Sequence, residues 1–222
     1  MTALAALDDA AAKAGLRVRG VLEVTDSDGA PEGCASLVLL GPDEPAFWPL
    51  FSTSDEYFDG NPDPLDRWSK RVIGALAREW GGHAVFPSDG PPYPPFIAWA
   101  RDSDHAWVSP VGLLVHDAAG LFISYRGAVA LPQVVQAAPV GVMPCLSCHA
   151  APCTTACPVG ALSLAEYDVA ACKAHLRSDL GHDCRDNGCL ARRACPVAVD
   201  FERLPVQSAF HMAAFLGTDP CD

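Results

Sequence analysis

Eight of the ten cysteines in this chain lie between Cys145 and Cys195, and they constrain the fold more than any other feature. They form two groups of four. The first group, with the spacing C-x2-C-x4-C-x3-C-P, consists of Cys145, Cys148, Cys153 and Cys157. The second group, with the spacing C-x11-C-x4-C-x5-C-P, consists of Cys172, Cys184, Cys189 and Cys195. Core packing does not explain thiols at this density, so they predict either a disulfide framework or metal sites.

Both groups end in Cys-Pro, which is also the ending of the bacterial ferredoxin run C-x2-C-x2-C-x3-C-P. In that run, three cysteines bind one iron–sulfur cluster and the fourth binds the other. The first group matches the run with two additional residues before its third cysteine, and the second group matches in number and ending. If the exchange applies here, one [4Fe-4S] cluster is bound by Cys145, Cys148, Cys153 and Cys195. The other [4Fe-4S] cluster is then bound by Cys157, Cys172, Cys184 and Cys189.

Disulfides and zinc sites are the alternatives to clusters for these cysteines. Disulfides need an oxidising compartment, but the N-terminus carries Asp8 and Asp9 and does not fit a signal peptide. We therefore expect a cytoplasmic protein with reduced thiols. Two zinc sites would also use eight thiolates, but such sites usually show two C-x2-C pairs per metal and this chain has one pair in all. The nearby histidines, which we expect to be surface residues, are His149, His175 and His182.

The formal net charge of -12 limits the classes of partner. A nucleic-acid-binding surface needs positive charge, so we expect no nucleic-acid partner. No apolar run approaches the length of a membrane span, so we expect no membrane partner. An acidic surface suits solubility or docking to a basic redox partner, and the candidates are a flavodoxin, a ferredoxin or a reductase.

The residues before the cysteines carry both helix and strand signals. Helix formers over 3–15 are followed by strand patterns over 16–24 and 34–40. A second helix is predicted to begin at Pro64, with Asp63 as its N-cap. The apolar residues that repeat every four positions in this helix are Trp68, Val72, Leu76 and Trp80. The pattern predicts an amphipathic helix that covers a core.

A hairpin is predicted directly before the cysteine region, with strands near 112–116 and 121–125. The predicted fold class is therefore α+β. We expect a mixed α/β domain over residues 1–135, followed by a small dicluster ferredoxin-like domain over residues 136–222.

Three stretches resemble the iron–sulfur family of epoxyqueuosine reductase and the corrinoid-dependent reductive dehalogenases, which is related through its first domain to the cobalamin-processing chaperones. They are "LAALDDAAAKAGLRVRGVLEV", "SPVGLLVHDAAGLFISYRGAVAL" and "PVGALSLAEYDVAACKAHL". The third stretch supports Cys172 as a ligand. The resemblance implies a nitroreductase-like first domain, with cobalamin held between it and the clusters, and electrons passing through the clusters to cobalt.

The chain also departs from that family. The nearest match to its general-acid Asp is Asp89, which is out of register and is not assigned that role. The helical repeats of the tRNA-acting enzymes are missing. The first hypothesis is therefore a cobalamin-associated reductase, an oxidoreductase acting on a corrinoid or a small substrate. The alternative is a ferredoxin-type electron carrier without chemistry of its own, and a structural zinc protein is the third. No catalytic or cobalamin-binding residue is assigned.

Overall fold

The computed structural model describes residues 2–25 and 29–217, so Cys221 lies outside the described residues. These ranges form a mixed α/β structure with a small antiparallel sheet. The strands are β1 (Leu16–Glu23), β2 (Ser36–Pro42), β3 (His83–Val85), β4 (Ala106–Val108), β5 (Leu114–His116) and β6 (Gly127–Leu131). The helices are α1 (Ala3–Ala12), α2 (Phe47–Ser52), α3 (Asp55–Phe58), α4 (Pro64–Glu79), α5 (Phe96–Asp102), α6 (Val169–Arg177), α7 (His182–Asn187), α8 (Leu190–Arg193), α9 (Pro196–Asp200) and α10 (Pro205–Leu216). Short 3-10 turns lie at Pro144–Leu146, Pro152–Thr154 and Asp179–Gly181.

The chain divides into two compact units. The first unit consists of Met1–His105 and Ser124–Gly141, and the second of Ala106–Ile123 and Val142–Asp222. The second unit thus takes in the β4–β5 segment, which the expected boundary at residue 135 placed in the first domain. The physical reason is close packing between this segment and the cysteine region. Gly112 lies so near Ser163 that a Cβ added to this glycine would be 2.6 Å from the Ser163 carbonyl oxygen.

The first unit is built on a four-stranded antiparallel sheet in the order β1-β2-β6-β3. Val38 of β2 pairs with Val21 of β1 on one side and with Val129 of β6 on the other. Every residue of β2 is buried, as expected of a strand with neighbours on both edges and an apolar sequence. The strands predicted over 16–24 and 34–40 are confirmed as β1 and β2.

Helix α4 packs against β3 and β6 of this sheet. Pro64 occupies its first turn, and Trp68 and Ile73 are buried on the face that the apolar pattern predicts. Trp68 meets Phe47 edge to face, with ring centroids 5.3 Å apart. The predicted cap is wrong: Asp63 has a left-handed φ of 54° and its side chain makes no capping hydrogen bond.

The second unit consists of short helices and the β4–β5 hairpin. Helix α10 packs against α7, and a Cβ on Gly188 would lie 2.6 Å from the side chain of Ser208 in α10. The backbone before Cys189 therefore lies directly on α10. No helix in residues 2–25 and 29–217 combines the length and the apolar character needed to cross a membrane.

The hairpin differs in part from its prediction. Strand β5 lies within the expected 112–116, but its partner is β4, with Trp107 opposite Val115. The strand expected over 121–125 is wrong, because those residues form a turn and irregular backbone. A bridge between His116 and Gly120 reverses the chain after β5, so residues 121–125 leave the hairpin instead of extending it.

Candidate functional site

Four cysteines of the second unit surround one cavity of about 250 Å³. They are Cys145, Cys148, Cys153 and Cys195, which we call the first set. The cavity is several times larger than the roughly 30 Å³ that a water molecule occupies. Most of its remaining wall is apolar and includes Pro110, Val115 and Leu121. Sulfur ligands thus converge on a largely apolar space.

Two tight turns present two cysteines of the first set to the cavity. Cys145 lies in the 3-10 turn Pro144–Leu146 and Cys153 in the turn Pro152–Thr154. Between them, Ala151 adopts a left-handed conformation with φ of 38°. This left-handed conformation redirects the chain two residues before Cys153.

Cys195 reaches the same cavity from the start of helix α9, where Pro196 takes the first helical position. Gly120, whose φ is 53°, packs against the start of helix α9. A Cβ on Gly120 would lie 2.6 Å from the backbone nitrogen of Ala198 and 3.0 Å from Cys195 Sγ. The turn after β5 therefore holds Cys195 in place only because residue 120 has no side chain.

The thiols of the first set influence one another electrostatically. Burial raises the pKa of Cys145 above its ordinary value, and the neighbouring Cys153, Cys195 and Cys148 raise it further. Burial also raises the pKa of Cys153, with further contributions from Cys195 and Cys148. Ionised together and partly desolvated, these thiolates would repel one another. A positively charged group bound between them would reduce that repulsion.

The remaining four cysteines form a second set, whose members are Cys157, Cys172, Cys184 and Cys189. Burial raises the pKa of Cys172, and Cys189 and Cys157 raise it further. Burial likewise raises the pKa of Cys184, with a contribution from Cys189. The backbone N–H of Ala161 donates a hydrogen bond to Cys157 Sγ at 3.3 Å. Each group thus contributes its last cysteine to the other group's set.

Two side chains that the sequence did not single out lie at the second set. Burial raises the pKa of Cys172, and the neighbouring Tyr167 hydroxyl lowers it. Arg192 donates to the backbone oxygen of Leu121, which lines the cavity of the first set. Burial lowers the pKa of Arg192, while Cys189 raises it. A guanidinium therefore lies between the two sets of thiols.

The residues that the sequence analysis left unassigned have structural roles or lie on the surface. Asp89 accepts a hydrogen bond from the backbone of Phe86 at 3.0 Å and pairs with Lys70 at 3.1 Å. His149 and His182 are exposed, as expected, and His175 is half-buried.

Sequence reasoning missed Ser109, Gly120 and Leu121 at the first set and Tyr167 at the second. The only signal for Gly120 was its place in a turn. Leu121 falls in the stretch that was expected to be a strand, and Ser109 and Tyr167 lie in short stretches without a periodic pattern.

Among residues 2–25 and 29–217, no group of three or more His, Cys, Asp or Glu side chains is arranged to hold a single metal ion. Comparisons with protein-family models, curated proteins and solved structures found no match.

Proposed function

We propose that this protein is an iron–sulfur redox protein that binds two [4Fe-4S] clusters and transfers single electrons. The first set would hold one cluster and the second set the other. The supporting observation is the exchange between the groups: Cys195 lines the cavity of the first set, and Cys157 interacts with Cys172. Two-cluster ferredoxins exchange their fourth cysteines in the same way, which favours a ferredoxin-like second unit.

The residues of both sets suit this role by type and charge. Thiolates are the usual protein ligands of cubane clusters, and each cluster, when bound, supplies a one-electron redox couple. At the second set, the Ala161 N–H donates to Cys157 Sγ, and the Tyr167 hydroxyl stabilises the negative charge of Cys172. At the first set, Val115 and Leu121 form part of an apolar wall. The chain's own task is to bind the thiolate-ligated groups and to set their potentials.

The first test is the metal content of protein purified without oxygen. Two cubanes require about eight iron and eight sulfide per chain. Replacing Cys148 or Cys184 by alanine should each remove one cluster and leave about four iron. Cys34, which lies in the first unit outside both sets, supplies the matched control: Cys34→Ala should retain the full iron content.

Three results would contradict the proposal. Zinc in place of iron would establish the structural zinc protein. Full iron content in Cys148→Ala would remove that residue from the ligands. Loss of both clusters in Cys34→Ala would show that iron retention depends on the whole chain and not on the two sets.

The corrinoid part of the hypothesis rests on the resemblance alone, which implies a nitroreductase-like first unit. On this basis the protein is a cobalamin-associated oxidoreductase, with electrons supplied by a flavodoxin, ferredoxin or reductase. Adding cobalamin to the loaded protein tests this function. A stoichiometric change in the cobalamin absorption spectrum favours the reductase. An unchanged spectrum with both clusters present leaves the ferredoxin-type electron carrier.

A further inference from the structure

A buried hydroxyl lines the cavity of the first set. Ser109 follows strand β4 and begins the turn that leads to β5. It belongs to the cavity wall together with the four cysteines, and only 1% of its surface is exposed. Its position makes it a polar group in a mostly apolar wall.

The backbone of Ser109 is fully hydrogen-bonded, but its side chain is not. Its N–H donates to the carbonyl oxygen of Leu113 at 2.9 Å, and its carbonyl accepts from the N–H of Gly112 at 3.0 Å. Within the described part of the chain, Ser109 Oγ has no hydrogen-bond partner. Burying a hydroxyl without a partner is unfavourable, so such a group usually indicates a ligand or a bound water.

The surroundings restrict what this hydroxyl can donate to. The turn cannot easily shift, because Gly112 has φ of 76° and a Cβ there would lie 2.6 Å from the Ser163 carbonyl oxygen. Ser147, the other serine of the cavity wall, already donates to the Pro144 carbonyl at 3.2 Å. Among the residues that line the cavity, the side chains left to accept from Ser109 are the sulfur atoms of the first set.

We propose that Ser109 Oγ–H donates a hydrogen bond to a sulfur atom of the cluster held by the first set, and that this bond raises the reduction potential of that cluster. The proposal rests on the proposed function. Reduction adds negative charge to the cluster and its thiolates, so a donor stabilises the reduced form more than the oxidised form. Ser109 thus acts as a tuning residue for one cluster and leaves the cluster of the second set unaffected.

The experiment compares Ser109→Ala with Ser178→Ala in the protein loaded with clusters. Midpoint potentials are measured by redox titration followed by electron paramagnetic resonance. The signal of the first cluster is identified by its loss in Cys148→Ala. Ser109→Ala should reduce the ratio of reduced to oxidised first cluster about tenfold at a fixed potential, which equals a negative shift of about 59 mV for a one-electron couple. Ser178 lies outside the cavity wall, and its exposed hydroxyl already donates to the His175 carbonyl at 2.7 Å, so Ser178→Ala should leave both potentials unchanged.

The outcomes separate this proposal from the proposed function. If wild-type protein binds no clusters, the proposed function fails. If Ser109→Ala binds two clusters with unchanged potentials, the function stands and the role of Ser109 is wrong. If Ser109→Ala loses the first cluster, Ser109→Thr decides: a wild-type potential with the hydroxyl retained supports the hydrogen bond, and an altered potential or loss of the cluster overturns it.

Discussion

If the two sets hold clusters as proposed, replacing Gly120 by alanine should remove the cluster of the first set while the second set keeps its own. Gly120 lies in the turn after β5, and its backbone packs on the segment that begins helix α9 and carries Cys195. An added methyl group would meet main-chain atoms of Ala198, which a side-chain rotation cannot move. The start of α9 would therefore shift, and Cys195 Sγ with it.

The magnitude follows from two contributions. A residue with a Cβ held at φ of 53° costs about 1–2 kcal/mol. The contacts of 2.6 Å to Ala198 N and 3.0 Å to Cys195 Sγ amount to overpacking, which costs about 1–3 kcal/mol more. The total of about 2–5 kcal/mol is a large fraction of the stability of an ordinary domain, which is about 5–15 kcal/mol.

The assay combines iron content with the free energy of unfolding, measured anaerobically by urea titration. Gly217→Ala is the matched control. Gly217 lies in the second unit with φ of 81°, and among the described residues nothing lies within 4 Å of where its Cβ would be. The Gly217→Ala variant should lose only the backbone contribution of about 1–2 kcal/mol from its free energy of unfolding, and it should keep about eight iron per chain. Gly120→Ala should lose about four iron.

A specific result would refute this reasoning. If Gly120→Ala retains eight iron and unfolds at the same urea concentration as Gly217→Ala, the turn does not hold Cys195 against the cavity. If both variants lose iron equally, the effect comes from the left-handed backbone and not from contact with α9.

Two further predictions concern a hydrogen bond and an ion pair. Tyr167→Phe should lower the potential of the proposed second cluster by tens of millivolts, where about 59 mV is tenfold, because it removes the hydroxyl that favours the Cys172 thiolate; a shift of the first cluster instead would contradict the assignment. In the first unit, hydrogen bonds from Arg71 hold the pKa of Glu56 at about 2, below its ordinary 4.5. Because the folded-state pKa is depressed, its stabilisation is present above pH 4.5 and is lost as the pH falls through about 2. Glu56→Gln should therefore reduce the free energy of unfolding by about 1 kcal/mol at pH 7, given the exposure of Arg71, and a urea-measured difference that persists at pH 2 would contradict this.

Local patterns accounted for the elements that short-range chemistry specifies. The apolar runs of β1 and β2 and the amphipathic repeat of α4 depend on residues within one or two turns, so the sequence predicted them. The pattern failed where local signals compete with packing. Residues 121–125 have strand character but leave the hairpin, and Asp63 has the right type for a cap but a left-handed backbone.

The amino-acid sequence alone supplied the candidate ligands: eight thiols in two groups, each ending in Cys-Pro. The sequence suggested that the two groups exchange their last cysteines only because both groups resemble the shorter bacterial ferredoxin run. The tertiary structure decided which thiols share a cavity, because Cys145 and Cys195 meet only after the intervening helices pack. Tertiary packing also brings Ser109 into the wall of this cavity and places Gly120 against Cys195. Contacts between distant segments depend on complementary packing across the whole unit, and no local pattern in either segment records them.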